Sequence, residues 1–260
     1  MGAEAIEKMT GVAVPGSSMT DMGMEVICQA PNLEWLDISD TRITGASMSQ
    51  LEGKQLESFV AKNLDLTGAS WESLSTERLR AIYVTGATVS TESFATFLEQ
   101  SDFSALHTLN VSESNMDERT IEAISGLISR NRPNDYGRLL YLADTAVSDQ
   151  HIALFEGSTI HTLDLSGTKV TDDCVESLAM IEGLHELQLS RTKITDDALP
   201  TLLSLGCKVL GLKDTQVTAQ GILKLKGEQT IQLEVSQGQF TMAEKTSLQN
   251  AGFLVMEPDD

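Results

Sequence analysis

Hydrophobic and polar residues in this chain alternate in a short frame that keeps returning, with a stretch of helical spacing after each return. The clearest copies are adjacent: residues 160–184 and 184–206 follow L-x-x-L-x-L-S-x-T-x-[IV]-T-D-D, with Ile160 standing for the first leucine. Residues 33–44 (LEWLDISDTRIT), 106–116 (LHTLNVSESNM) and 140–148 (LYLADTAVS) carry the same frame. Self-similarity at a fixed period marks a repeat architecture, in which each unit buries its apolar face against its neighbours.

Two apolar residues alternating with polar ones have the period of a strand, so x-L-x-L-x predicts a short strand with both apolar side chains inward. Aligned on the second inward residue, strands are anchored at Val14, Ile38, Leu66, Val84, Val111, Leu142, Leu165, Leu189, Leu212 and Val235. Phe253 and Val255 supply an eleventh. Anchors from Leu142 to Val235 are 23, 24, 23 and 23 residues apart, whereas Leu66 to Val84 is 18 and Val111 to Leu142 is 31. The short interval leaves no room for a full return helix. The long one holds Ile121, Ile124, Leu127 and Ile128 at helical spacing and ends in SRNRPNDYG, a polar turn expected on the rim.

After each strand a small residue (Thr41, Ala69, Ala87, Ser114, Thr145, Thr168, Thr192 or Thr215) takes the turn, where a hydroxyl can satisfy backbone groups locally. Thr171 or Asp172, and Thr195 or Asp196, are then expected to cap the next helix. Val175, Leu178 and Ile181 are expected on one buried helical face, and Phe94, Phe97 and Leu98 on another.

The frame resembles the leucine-rich repeats of the cysteine-containing and related bacterial types, including those of F-box substrate receptors and ribonuclease-inhibitor-like proteins. The likeness runs from about Val12 to Val255. It implies an α/β leucine-rich-repeat solenoid, a right-handed horseshoe of about eleven coils with a parallel concave sheet and convex helices. A single domain over 1–260 is expected, with 1–8 as an N-terminal helix or cap, 9–256 as repeats and 257–260 as an acidic tail. The resemblance further implies protein binding on the concave face, regulation of small GTPases, or presentation of substrates to ubiquitin ligases. No F-box segment is seen ahead of the repeats, which leaves the last without support.

Composition narrows the partners. With 38 acidic against 18 basic residues the net charge is −20, which disfavours nucleic-acid backbones and anionic membranes and favours a basic protein partner. Aromatics are only 5% of the chain, so the core is expected to be filled by aliphatic residues in thin layers. Cys28, Cys174 and Cys207 are too few and too scattered for a disulfide framework or a zinc ribbon. Without an apolar leader or membrane span, an intracellular, cytoplasmic protein is expected.

Catalytic and nucleotide motifs are missing from the sequence, so no enzyme, no cofactor and no metal is expected. Two constellations bear on that. His161 and His185 share a frame position on adjacent coils, near enough to bind a metal or sense pH, but no third ligand stands beside them. The pairs Asp172–Asp173 and Asp196–Asp197 lack calcium-loop spacing and read more simply as helix caps. What remains is the concave face. Its expected partner-binding residues are Trp35, Asp37, Asp65, Tyr83, Asn110, Tyr141, Asp164, Gln188 and Glu234, with Trp35, Tyr83 and Tyr141 as aromatic anchors among acids and amides.

Overall fold

Residues 7–130, 137–225 and 230–257 are described by the computed structural model. Their contacts divide into two compact units, Met1–Arg138 and Leu139–Asp260.

In the first unit, an inward apolar residue flanked by two outward ones makes each short strand: β1 (Gly11–Ala13), β2 (Trp35–Asp37) and β3 (Ser58–Val60). Next come the two-residue β4 (Asp65–Leu66), then β5 (Ala81–Tyr83), the two-residue β6 (Thr88–Val89) and β7 (Thr108–Asn110). Strands β1, β2, β3, β5 and β7 pair in parallel, with Val12, Leu36, Phe59, Ile82 and Leu109 in register. The last four are buried. Each such side chain contributes about 1.5–3 kcal/mol by leaving water.

The third coil departs from the leucine pattern. Leu64-Asp65-Leu66-Thr67 imitates Leu36-Asp37-Ile38-Ser39, down to the aspartate that accepts a hydrogen bond from the backbone two residues on. The sheet nevertheless takes Ser58–Val60, and Asp65 and Leu66 pair only with Thr88 and Val89. Asp65 is therefore not on the open face of the sheet, contrary to expectation. The anchor is Ala61 rather than Leu66, and Ile38, Ala61 and Val84 stand 23 residues apart. The apparent 18-residue coil vanishes. Phe59 and Ala61 fit the inward positions, but a strand marked by Phe and Ala escapes a search for leucine.

Helices Thr91–Gln100 and Glu118–Arg130 back this unit, and the second accounts for the 31-residue interval, burying Ile121, Ile124, Leu127 and Ile128. The aromatics are not spread thinly. Trp71, Phe94, Phe97 and Phe103 gather in one cluster, with ring centroids 4.6–6.3 Å apart.

The second unit begins inside β8 (Arg138–Tyr141) and continues with β9 (Ile160–Asp164), β10 (Glu186–Gln188), β11 (Val209–Gly211), β12 (Gln232–Glu234) and β13 (Leu254–Met256). From β9 to β13 every pair is parallel, with Leu163, Leu187, Leu210, Leu233 and Val255 in register. From β8 to β13 the strands lie side by side in chain order. Val175, Leu178 and Ile181 are buried as expected, and Cys174 and Cys207 fill core positions. Burial pushes the Cys207 thiol up to about 11. Burial, helped by the nearby Asp149 charge, pushes Cys174 up to about 12.

Both units turn in the same way after the strand. Asp40, Asn63, Gly86 and Glu113 in the first, and Asp144, Gly167, Arg191 and Asp214 in the second, all have φ between 54° and 66°. The left-handed residue sits at a fixed place although its side chain varies, since the geometry is imposed by the coil. One step on, Thr41, Thr145, Thr168 and Thr215 donate their hydroxyls to the carbonyl three residues back, at 2.6–2.8 Å. This is the local satisfaction that the sequence suggested.

The Thr-Asp pair does more than cap. Thr171 and Thr195 accept from the amides of Asp173 and Asp197 as N-caps. Asp172, the first acid, reaches forward instead, accepting from the amide and hydroxyl of Thr195, and Asp149 and Asp196 hold Thr171 and Thr218 likewise. In the first unit Asp21 holds Thr44 in the same way. In these four places one coil's acid therefore fixes the next coil's cap.

Three expectations fall partly or largely outside the described residues: the N-terminal cap at 1–8, the SRNRPNDYG turn and the acidic tail. No helix among the described residues is long and apolar enough to cross a membrane.

Candidate binding face of the sheet

Outward side chains on parallel strands in register stack into columns. In the first unit one column reads Gly11, Trp35, Ser58, Ala81, Thr108, and its neighbour Ala13, Asp37, Val60, Tyr83, Asn110. Trp35 is flanked by two small residues, Gly11 and Ser58, and its ring lies over Gly11, with Cε3 3.0 Å from where a Cβ would be. It remains 40% exposed. Tyr83 is half-buried, and Lys62 Nζ lies 5.8 Å from its ring centroid. Lys62 was not legible as a neighbour of Tyr83, because the leucine frame had misplaced its coil.

Asp37 and Asn110 also have a local task. Each accepts a hydrogen bond from the backbone amide two residues on, Ser39 and Ser112, at 2.9 and 3.0 Å. Asn110 Oδ1 takes a second bond from Thr85 Oγ1. Their acceptor atoms are partly spent on the turn. Asp65, off this face, is fixed in the same manner by Thr67, whose hydroxyl and amide hold its carboxyl below the usual carboxylate range.

In the second unit Tyr141 is half-buried on β8, and Asp164 accepts from the Ser166 amide. Gln188 and Glu234 come together, although a whole coil lies between them. Gln188 Nε2 lies 3.2 Å from Glu186 Oε1 and 3.3 Å from Glu234 Oε2, and Gln232 Nε2 donates to Glu234 Oε1 at 3.2 Å. Gly211 makes this possible. The Gln188 side chain occupies the space a Cβ at Gly211 would need. Two carboxylates are thereby held among two amides, a preorganised acceptor surface for cationic groups.

Near the start of β9 and just ahead of β10, His161 and His185 stack, with ring centroids 4.7 Å apart and planes 11° from parallel. Among the described residues no group of three His, Cys, Asp or Glu is placed to hold a metal ion.

Comparison with known proteins bears on the fold. A family model described as "Leucine Rich repeat" matches residues 158–179, and no curated protein matches the chain. Among solved structures, an internalin (inlF) from Listeria monocytogenes str. 4b F2365 is 18% identical, with a TM-score of 0.49, over 100% of this chain and 90% of that one. TLR13, in its complex with ssRNA13, is 13% identical, with a TM-score of 0.53, over 91% of this chain and 41% of the TLR13 chain. This chain thus spans less than half of the TLR13 chain, and identity at that level speaks for fold alone.

Proposed function

Because the chain is a leucine-rich-repeat protein, we propose that it is a non-catalytic interaction module that captures a basic protein partner on the open face of its sheet. The observation that carries this reading is Trp35. One of the two tryptophans is buried in the core, whereas Trp35 lies 40% exposed on a strand, seated among small neighbours. Exposing so large an apolar ring costs stability that a binding role repays.

Acidity supports the partner class. The carboxylates of Glu186 and Glu234 are held by amides that neutralise neither, and the net charge of −20 steers cationic surfaces towards them. The TLR13 complex contains ssRNA, but a chain this acidic would repel a phosphate backbone. Three free thiols suit a reducing compartment such as the cytoplasm.

Affinity purification with mass spectrometry, wild type against Trp35→Ala, Tyr83→Ala and Tyr141→Ala combined, tests the proposal. A partner recovered by the wild type and lost from the variant is the expected result. Equal recovery by a folded variant refutes it. A structural subunit of an assembly is the second reading, favoured by Met22, which is 79% exposed beside the apolar hollow lined by Met19, Val26 and Ile27. That reading requires co-purification which survives the sheet variant and is lost on Met22→Asp.

A further inference from the structure

On the helical side of the first unit, away from the sheet strands, a cleft of about 430 Å³ opens between the 3-10 turn Trp71–Ser73 and helix Thr91–Gln100. Trp71 and Phe97 line its floor, their rings stacked 5.6 Å apart, and Glu72, Ser93, Thr96 and Gln100 line its walls. Trp71 is 1% exposed, yet its indole N–H has no acceptor among the described residues. A buried donor left unmade costs roughly 1–3 kcal/mol, so a site that keeps one beside an open cleft is suited to an acceptor arriving from outside.

The wall chemistry restricts what brings that acceptor. Arg119, beside Thr96, is already engaged by Glu92 and Glu99 at 3.5 and 3.7 Å. Glu72 has no salt bridge among the described residues, so the charge left unbalanced on the cleft is negative. A ligand is therefore wanted that offers an apolar body, a carbonyl oxygen and a positive charge. A peptide with adjacent apolar and basic residues has all three.

We propose that this cleft binds such a peptide segment from a partner protein, with the apolar side chain on the Trp71–Phe97 floor, a main-chain carbonyl accepting from Trp71 Nε1, and a Lys or Arg side chain paired with Glu72. This is a second recognition site, independent of the sheet face, and neither reading needs the other.

The test uses the indole N–H itself. With Trp35→Phe, Trp71 is the sole tryptophan and gives one indole signal in a ¹H–¹⁵N spectrum. Acetyl-Leu-Lys-amide should move that signal saturably, and acetyl-Leu-Glu-amide should bind roughly fivefold more weakly, the scale of one exposed ion pair. Thr96→Phe, which fills the cleft, should abolish the shift. Glu72→Gln, at an exposed position that leaves the packing alone, should erase the preference between the two peptides. A signal unmoved by acetyl-Leu-Lys-amide, a shift retained in Thr96→Phe, or equal affinity for both peptides overturns the proposal.

Discussion

Arg191 Nη2 lies 2.6 Å from Asp144 Oδ2 across an intervening coil, because Gly167 has no side chain to stand between them. A Cβ at Gly167 would meet Asp144 Oδ1 at 2.1 Å, and φ there is +66°. Gly211 does the same for Gln188 and Glu234 on the sheet face. In both places one missing side chain lets the residues of the two flanking coils touch.

Gly167→Ala should lower stability by about 1–3 kcal/mol, from the left-handed backbone and the displaced carboxylate together. Arg191→Ala should cost less than about 1 kcal/mol, because the ion pair is half exposed to solvent. Urea unfolding of the two variants ranks them. The reverse order would mean that the ion pair, not the backbone, dominates.

Gly211→Ala separates binding from stability. Its φ is not in the left-handed region, and the atoms a Cβ would meet belong to the movable Gln188 side chain, so unfolding should shift by no more than about 1 kcal/mol. Capture of a basic partner should weaken as the Gln188–Glu234 contact is broken. Unchanged capture would remove this network from the binding surface.

The two acids of each T-D-D triplet should differ. Asp172→Ala removes two hydrogen bonds to Thr195 and should cost about 1–3 kcal/mol. Asp173, exposed at the helix start, should cost under about 1 kcal/mol. Thermal melting of both variants measures the difference.

Acid should destabilise the fold in a particular way. Burial raises the carboxyls of Asp21 and Asp117, but hydrogen bonds outweigh it: from Thr44 and Ser47 at Asp21, and chiefly from Thr91 and Thr120 at Asp117, leaving both below the ordinary value. A carboxyl depressed in the folded state stabilises it above the unfolded pKa and loses that contribution as pH falls through the folded pKa. Melting temperature should therefore drop between about pH 5 and pH 3, and Asp21→Asn with Asp117→Asn should flatten that limb. An unchanged slope in the double variant counts against it.

Thiol reactivity should report burial. At pH 8 Cys174 and Cys207 should not react with a disulfide reagent, being buried with raised pKa values, while half-buried Cys28 reacts slowly. All three should react in urea. Rapid labelling of Cys174 in the native protein would contradict the packing.

Most of the fold was legible because its signal is periodic. All but one of the sheet strands, the small turn residue with its hydroxyl, and the long helix after Val111 followed from spacing. The third coil was misread because Leu64, Asp65, Leu66 and Thr67 carry a better copy of the frame than the residues that form the strand, so Asp65 was assigned to the sheet face. Trp35 was found there because strand alternation fixes facing. The Gln188–Glu234 bridge and the forward reach of Asp172 were not, since both link different coils, and a linear pattern does not say which side chain will cross a glycine.

The Asp-to-Thr brace also bears on how a chain of this kind can lengthen. Asp149 to Thr171, Asp172 to Thr195 and Asp196 to Thr218 are separated by 22, 23 and 22 residues, and Thr171 and Thr195 are each followed at once by the aspartate of the next link. The segments 172–195 and 196–218, each cut after one capping threonine and again after the next, begin with an acceptor and end with a donor. Tandem duplication at that joint would close both new junctions with the bonds the old one had, so the protein could gain a turn without redesigning a seam.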